Sequence, residues 1–222
     1  MSLKAVIFDL DGTLLNTIDD LADAMNSVLI QKGFSKHPVK EYKTFVGDGI
    51  ENLVRRALPI YFRHNDDIIR ECVKLVKYEY DSLWNKKSEL YPGINILLDN
   101  FEAAKFKMSI YSNKPDEFVQ KVAKHYFTKW DFKFITGAKK NRPLKPDTSV
   151  VKEILAGMGV TPDECLYIGD TDTDIMTGKN AGIFTIGALW GFRSEEELAE
   201  AGADFLAGKP EDIIDFLLKK TA

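Results

Sequence analysis

Residues 4–14 read KAVIFDLDGTL, an apolar run that ends in two aspartates separated by one leucine. A run of this kind is typical of a strand that is buried on both faces. Asp9 and Asp11 occupy alternate positions after the run, so both carboxylates can point into one crevice at the strand's carboxyl end. Gly12 allows a sharp turn and brings backbone amides close to a ligand. The stretch therefore predicts a buried strand that ends at an acidic site.

The composition is that of an ordinary globular protein. The chain has 222 residues, 45% hydrophobic and 29% charged, with a net charge of −4. We expect no nucleic-acid or membrane partner, because there is no net basic field and no apolar stretch long enough to span a bilayer. The first strand begins so early that we expect no signal peptide. Cys72 and Cys165 lie far apart without a paired cysteine nearby, which argues against a disulfide framework or zinc site and predicts a cytoplasmic location.

Hydrophobic periodicity divides the chain into a helical segment and an alternating segment. Apolar residues at helical spacing predict three early helices, at 17–32, 50–62 and 66–84. From residue 90 onward strands and helices alternate, which predicts right-handed crossovers and a doubly wound parallel sheet. We expect an α/β, Rossmann-like core domain formed by residues 1–15 and 86–222. Residues 16–85 are expected to form a small α-helical cap domain inserted into it.

Polar side chains follow three separate strands of the predicted sheet, and a lysine precedes one of its helices. In chain order they are Asp9, Asp11, Ser112, Asn113, Lys145, Asp170 and Asp174. Each group alone has a purely structural explanation as a turn, a solvated lysine or a helix cap. Ligands of open parallel sheets bind outside the carboxyl ends of the strands. The occurrence of all the groups in this order therefore predicts one common site.

The predicted site contains more acidic side chains than basic ones. Two carboxylates about 4 Å apart repel each other by about 1 kcal/mol in water and about 4 kcal/mol at an effective dielectric constant of 20. Without a cation, some of these acids would have to bind protons. A set of oxygen ligands favours Mg²⁺, which also accepts a phosphate oxygen. The residues therefore predict a magnesium site suited to phosphoryl transfer.

The DxDGT motif after a hydrophobic strand resembles the haloacid dehalogenase-like phosphatases. The resemblance covers nearly the whole chain and is closest to phosphoglycolate phosphatases and their relatives. It is carried by LYPG at 90–93, SNKP at 112–115, KPD at 145–147, NAG at 180–182 and LWGF at 189–192. The stretch FVGDG at 45–49 resembles the turn of the helical cap that leans over the active site in this group.

The resemblance implies a role for each residue of the core motifs. Asp9 matches the nucleophile that forms an aspartyl-phosphate and also binds Mg²⁺. Asp11 matches the general acid and base, with its backbone carbonyl on the metal. Lys145 matches the lysine that offsets phosphoryl charge and orients the nucleophile. Asp170 matches a second metal ligand, and Asp174 an outer acid that supports the metal ligands or the lysine.

By the same resemblance, eight further positions are expected to bind phosphate or substrate. In the core they are Gly12 and Asn113 through backbone amides, Ser112 through its hydroxyl, and Thr13 beside the turn. In the cap they are Gly47, Asp48 and Gly49, and also Arg56, which could offset Asp48 by pairing with a substrate carboxylate.

The residues and the resemblance together predict a Mg²⁺-dependent phosphatase of small phosphorylated metabolites that acts as a monomer or homodimer. The resemblance makes 2-phosphoglycolate the leading candidate substrate. A pyrophosphatase or nucleotidase on the same scaffold is an alternative, and a sugar-phosphate mutase is a weaker one. An inactive binding module is a further alternative, because a fold does not guarantee an activity. A phosphoacceptor response-regulator domain also has an acidic pocket on a parallel sheet. The helical insertion and the nucleophile on the first strand argue against it.

Overall fold

The structure, a computed structural model, describes residues 3–221 and places a parallel sheet at its centre. In chain order the strands are β1 (Ala5–Phe8), β2 (Leu15–Asn16), β3 (Glu89–Leu90), β4 (Lys107–Pro115), β5 (Phe132–Ala138), β6 (Cys165–Gly169), β7 (Phe184–Ala188) and β8 (Phe205–Ala207). Six of them form one sheet in the order β5-β4-β1-β6-β7-β8. Every pairing in this sheet is parallel.

Helices cover both faces of the sheet. In chain order they are α1 (Ile18–Gln31), α2 (Val39–Phe45), α3 (Ile50–Ala57), α4 (Asp66–Leu83), α5 (Ile94–Ala103), α6 (Asp116–Tyr126), α7 (Ser149–Met158), α8 (Asp172–Asn180), α9 (Glu195–Glu200) and α10 (Pro210–Thr221). Apolar residues of α5, α6 and α10 pack against one face, and those of α7 pack against the other. The predicted doubly wound α/β fold is confirmed. None of the helices within residues 3–221 has the length and apolar character that a membrane span requires.

Strand β1 is central and completely buried, as its sequence predicts. Val6 and Phe8 belong to the hydrophobic cluster on one face of the sheet. Ala5 and Ile7 belong to the cluster on the other face. Because both faces are covered by helices, every residue of this strand must be apolar. The first position that can carry a charge is the one where the strand ends, at Asp9.

The helices α1 to α4 pack around a hydrophobic cluster of their own, to which the core contributes Phe192. The two connections to the sheet run side by side, since β2 pairs with β3. The buried carboxylate of Asp20 holds them together by accepting hydrogen bonds from the amides of Lys87 and Ser88. The domain limits at 15/16 and 85/86 stay a prediction. Residues 1–2 and 222 of the predicted core lie outside the described residues.

One of the predicted helices is wrong in length. The periodicity over 50–62 predicts a single helix, but α3 ends at Ala57 and a short 3₁₀ turn, Ile60–Phe62, follows. Pro59 explains the interruption, because a proline disfavours helical backbone angles at the preceding residue, here Leu58.

Candidate active site

Three neighbouring strands bring the predicted site residues together. Asp9 directly follows β1, Ser112 and Asn113 lie near the end of β4, and Asp170 directly follows β6. Since β1 pairs with both β4 and β6, the carboxyl ends of these strands lie next to one another. The acidic site therefore forms at the edge of the sheet where the sequence predicts it.

Lys145 lies between two buried carboxylates. Its Nζ donates to Asp9 Oδ1 at 2.7 Å and to Asp174 Oδ1 at 2.6 Å, and also to the carbonyl oxygen of Tyr111 at 3.2 Å. Burial alone lowers the pKa of the ammonium, but the charges of Asp174 and Asp9 outweigh burial and raise this pKa well above its usual value. Lys145 is therefore a charged, fully hydrogen-bonded group that fixes one oxygen of Asp9.

Asp174 is engaged at both of its carboxylate oxygens. Oδ2 accepts hydrogen bonds from the amide of Thr171 at 3.1 Å and from its hydroxyl at 2.6 Å. Oδ1 accepts from Lys145 and, at 3.4 Å, from the hydroxyl of Tyr167. The side chain also forms part of the capping box of α8. These contacts suit Asp174 to positioning Lys145.

The carboxylate of Asp170 accepts one hydrogen bond from a side-chain hydroxyl and one from a backbone amide. Thr13 Oγ1 donates to Oδ1 at 2.7 Å, and the amide of Phe192 donates to Oδ2 at 2.9 Å. Two glycines leave room for the carboxylate. A Cβ atom on Gly12 or on Gly191 would lie 2.6 Å from Asp170 Cγ. Thr13 thus holds the Asp170 carboxylate and does not line the cavity described below, and its expected contact with phosphate or substrate stays a prediction.

Asp9, Asp170 and Asp174 each offer an oxygen within 4.8 Å of the others. Burial, with repulsion from Asp174, raises the pKa of Asp9 to about 7 despite the nearby Lys145. Burial and the other two carboxylates raise the pKa of Asp170 well above its usual value. Among the described residues, no group donates a hydrogen bond to Asp9 Oδ2. A buried, all-oxygen group with excess negative charge fits a divalent cation.

The carboxylate of Asp11 pairs with Lys114 and not with Lys145. It accepts hydrogen bonds from Lys114 Nζ at 2.8 and 3.0 Å and from Thr17 Oγ1 at 2.8 Å. Lys114 is buried, and the charge of Asp11 raises its pKa despite that burial. Lys114 is not among the predicted site residues, although it lies in the SNKP motif at 112–115. A basic residue directly after the polar pair was the available signal.

The predicted phosphate-binding residues of the core differ in their surroundings. Ser112 and Asn113 both line the cavity. The Asn113 side chain donates to the carbonyl oxygen of Gly47 at 3.1 Å, so it joins the core to the cap. The amide of Gly12 donates to the carbonyl oxygen of Leu15 at 2.8 Å. The hydrogen of this amide is therefore engaged within the turn, and its expected contact with a phosphoryl oxygen stays a prediction.

The cap turn contributes backbone and not charge to the cavity. Gly47 and Gly49 line it, and their φ angles of 118° and 89° favour glycine. Asp48 accepts a hydrogen bond from Thr173 at 2.7 Å and pairs with Arg56. Burial alone raises the pKa of Asp48, but these two partners outweigh it and lower the pKa. Neither Asp48 nor Arg56 lines the cavity, and the expected substrate contacts of both stay predictions.

The cavity lies between the cap and the core and has a volume of about 590 Å³, including its open mouth. Its polar lining comprises Asp9, Asp11, Ser112, Asn113 and Lys114. The apolar wall includes Leu21, Val46, Ile50, Leu53 and Val76 from the cap and Pro115, Phe118 and Phe192 from the core. Asp9 therefore meets any molecule that enters this space.

Residues 6–188 match the haloacid dehalogenase-like hydrolase family. The chain belongs to this family. This hydrolase is 29% identical to a phosphoglycolate phosphatase of Psychrobacter arcticus, across 99% of this chain and 97% of that protein. A phosphoglycolate phosphatase of Aquifex aeolicus is also 29% identical, across 97% of both chains. A solved Lactobacillus delbrueckii subsp. bulgaricus protein, 30% identical, superposes with a TM-score of 0.88 and covers 96% of this chain and 97% of its own. The family and these relatives support a phosphatase.

Proposed function

We propose that this hydrolase is a Mg²⁺-dependent phosphatase of small phosphomonoesters that works through a phosphoryl group on Asp9. The main support is the position of Asp9, which lines the cavity. One of its oxygens is fixed by Lys145, and the other has no hydrogen-bond donor among the described residues. The names of the relatives make 2-phosphoglycolate the leading candidate substrate. A monomeric or homodimeric state, a cytoplasmic location and the two-domain division stay predictions.

In the proposed first step, Asp9 Oδ2 attacks phosphorus while the bond from phosphorus to the ester oxygen breaks. The leaving alkoxide takes a proton from Asp11. In the second step, Asp11 accepts a proton from water, the water oxygen attacks phosphorus, and the bond to Asp9 breaks. Lys145 keeps Asp9 oriented and offsets negative charge through both steps.

The cation in this proposal is Mg²⁺, held by the carboxylates of Asp9 and Asp170 and by the backbone carbonyl of Asp11. When bound, it would neutralise phosphoryl oxygens and the excess charge of the acids. Asp174 is engaged at both oxygens by donors of the chain. We therefore propose that Asp174 supports the site through Lys145 and is not itself a ligand.

The test is hydrolysis of an aryl phosphate with Mg²⁺ and with a chelator. Asp9→Asn should lower kcat by roughly 10⁴-fold or more while the protein keeps its circular dichroism spectrum. The matched control is Asp172→Asn, in the same acidic stretch but with a side chain 48% exposed, which should retain most of the activity. Substantial turnover by Asp9→Asn, or full activity in the chelator, would reject the proposal.

A substrate panel separates the alternative activities. Inorganic pyrophosphate and nucleoside monophosphates test the pyrophosphatase and nucleotidase alternatives. Transfer of phosphate to a second sugar, instead of to water, would identify a mutase.

A further inference from the structure

Lys114 differs from the other basic side chains near the active site. Among the side chains that the structure describes, residues 3–219, it is the one lysine, arginine or histidine that lines the cavity. Lys145 is occupied by buried carboxylates. Arg56 pairs with Asp48, and Arg193 donates to backbone carbonyls of the cap. Lys114 is also paired, with Asp11, but it alone of these cations lines the cavity. A negatively charged group that enters the cavity beside Asp11 therefore meets the ammonium of Lys114.

The ammonium of Lys114 is held in place from both sides of the cavity. The residue belongs to β4 of the core, and its side chain is 3% exposed. Its Nζ donates to the hydroxyl of Tyr80, on α4 of the helical segment, at 2.7 Å. The same Nζ lies 4.6 Å from the centre of the Tyr80 ring, which packs edge-on against Phe118. The contacts that hold this ammonium therefore come from both parts of the chain, from Tyr80 in the helical segment and from Asp11 in the core.

The position of Lys114 relative to the reacting ester follows from Asp11. Nζ lies 2.8 and 3.0 Å from the two oxygens of Asp11. A general acid must approach the ester oxygen to about 3 Å. The ester oxygen therefore lies within about 6 Å of Nζ. A carboxylate attached to the carbon that bears the ester oxygen is short enough to reach the ammonium.

The remainder of the wall, as far as its residues are described, offers no other positive charge for such a group. The nearby lining residues Leu21, Ile50, Leu53 and Val76 are apolar. A carboxylate buried against them without a counter-ion would be strongly disfavoured. An uncharged alkyl group would need no counter-ion there.

We propose that Lys114, positioned by Tyr80, binds a carboxylate carried by the leaving alcohol. The enzyme then prefers phosphate esters of small hydroxycarboxylic acids to esters of uncharged alcohols. This inference rests on the proposed phosphatase function. It assigns the recognition of a substrate carboxylate to Lys114 and not to Arg56.

The test compares 2-phosphoglycolate with ethyl phosphate, in which a methyl group replaces the carboxylate. The wild-type ratio of kcat/KM should favour 2-phosphoglycolate by roughly 10- to 100-fold, as expected for a hydrogen bond between charged groups. In Lys114→Met the ratio should fall close to one. If the loss of Lys114 also impairs Asp11, hydrolysis of both esters slows equally, so this effect cancels in the ratio. Lys114→Gln provides a second neutral variant if Lys114→Met does not fold.

The matched control is Lys121→Met. Lys121 also joins the helical segment to the core, through Asp81 at 2.6 Å, but it does not line the cavity. The ratio of kcat/KM for the two esters in Lys121→Met should equal that of the wild type. A wild-type ratio near one, or equal losses for both esters in the Lys114 variants, would overturn the inference and leave Lys114 as a positioning residue for Asp11. If the wild type hydrolyses neither these esters nor an aryl phosphate, the proposed function itself fails.

Discussion

Replacing Lys145 with methionine should destabilise the metal-free protein by about 3 kcal/mol. Removing one partner of a buried ion pair costs about 3–5 kcal/mol, because it leaves a buried charge uncompensated. The Lys145 side chain is 2% exposed, and those of Asp9 and Asp174 are 8% and 1% exposed. The low end of the range applies for two reasons. Asp9, with a pKa of about 7, can take up a proton, and Asp174 keeps its hydrogen bonds from Thr171 and Tyr167.

Lys179→Met is the matched control for this experiment. Lys179 Nζ lies 2.6 Å from Asp204 Oδ1, the same distance that separates Lys145 from Asp174. The side chains of this second pair are 42% and 26% exposed. Exposed pairs contribute about 0–1 kcal/mol, since water screens them. The two variants therefore differ mainly in the burial of the pair that each one breaks.

Thermal unfolding in a chelator, followed by circular dichroism, measures both effects. In a protein of this size, 1 kcal/mol corresponds to about 2–4 °C in Tm. Lys145→Met should therefore lower Tm by about 6–12 °C, and Lys179→Met by less than about 4 °C. If Lys145→Met melts together with Lys179→Met, or above the wild type, the electrostatic account of this site is refuted.

Two further substitutions test the metal site and the turn beside it. Mg²⁺ should raise the Tm of the wild type but not that of Asp170→Asn, because a ligand that binds only the folded state stabilises it. Equal Mg²⁺ affinity of the two proteins in calorimetric titration would remove Asp170 from the site. Gly12→Ala should lower kcat on an aryl phosphate by roughly 100-fold, because its Cβ displaces Asp170. Gly202→Ala shares the positive φ, 94° against 93°, but meets nothing within 4 Å, so similar kcat values for the two variants would contradict this explanation.

The sequence was sufficient to predict the sheet and the acidic edge because both depend on local patterns. An apolar run such as residues 5–8 is stable in water only when both of its faces are buried. Parallel strands place their carboxyl ends together whatever the details of the helices. The positions of Asp9, Lys145 and Asp170 therefore follow from where each strand or helix begins or ends.

The partners of the cap residues could not be predicted in the same way. Lys114 meets Tyr80 only because α4 packs against the core next to β4, and nothing in either segment encodes that contact. Two anions were possible partners for Arg56, a substrate carboxylate and Asp48. In the structure Arg56, in the last turn of α3, pairs with Asp48. Pro59 was a local signal that α3 ends early, but the hydrophobic periodicity over 50–62 obscured it.

The most direct test is to locate the phosphoryl group during turnover. The enzyme is mixed with substrate and Mg²⁺, quenched rapidly in acid, digested and examined by mass spectrometry. We expect the phosphoryl group on the peptide that contains Asp9, and we expect it to be lost in Asp9→Asn. A phosphoryl group found repeatedly on another side chain would contradict the claim that Asp9 attacks phosphorus.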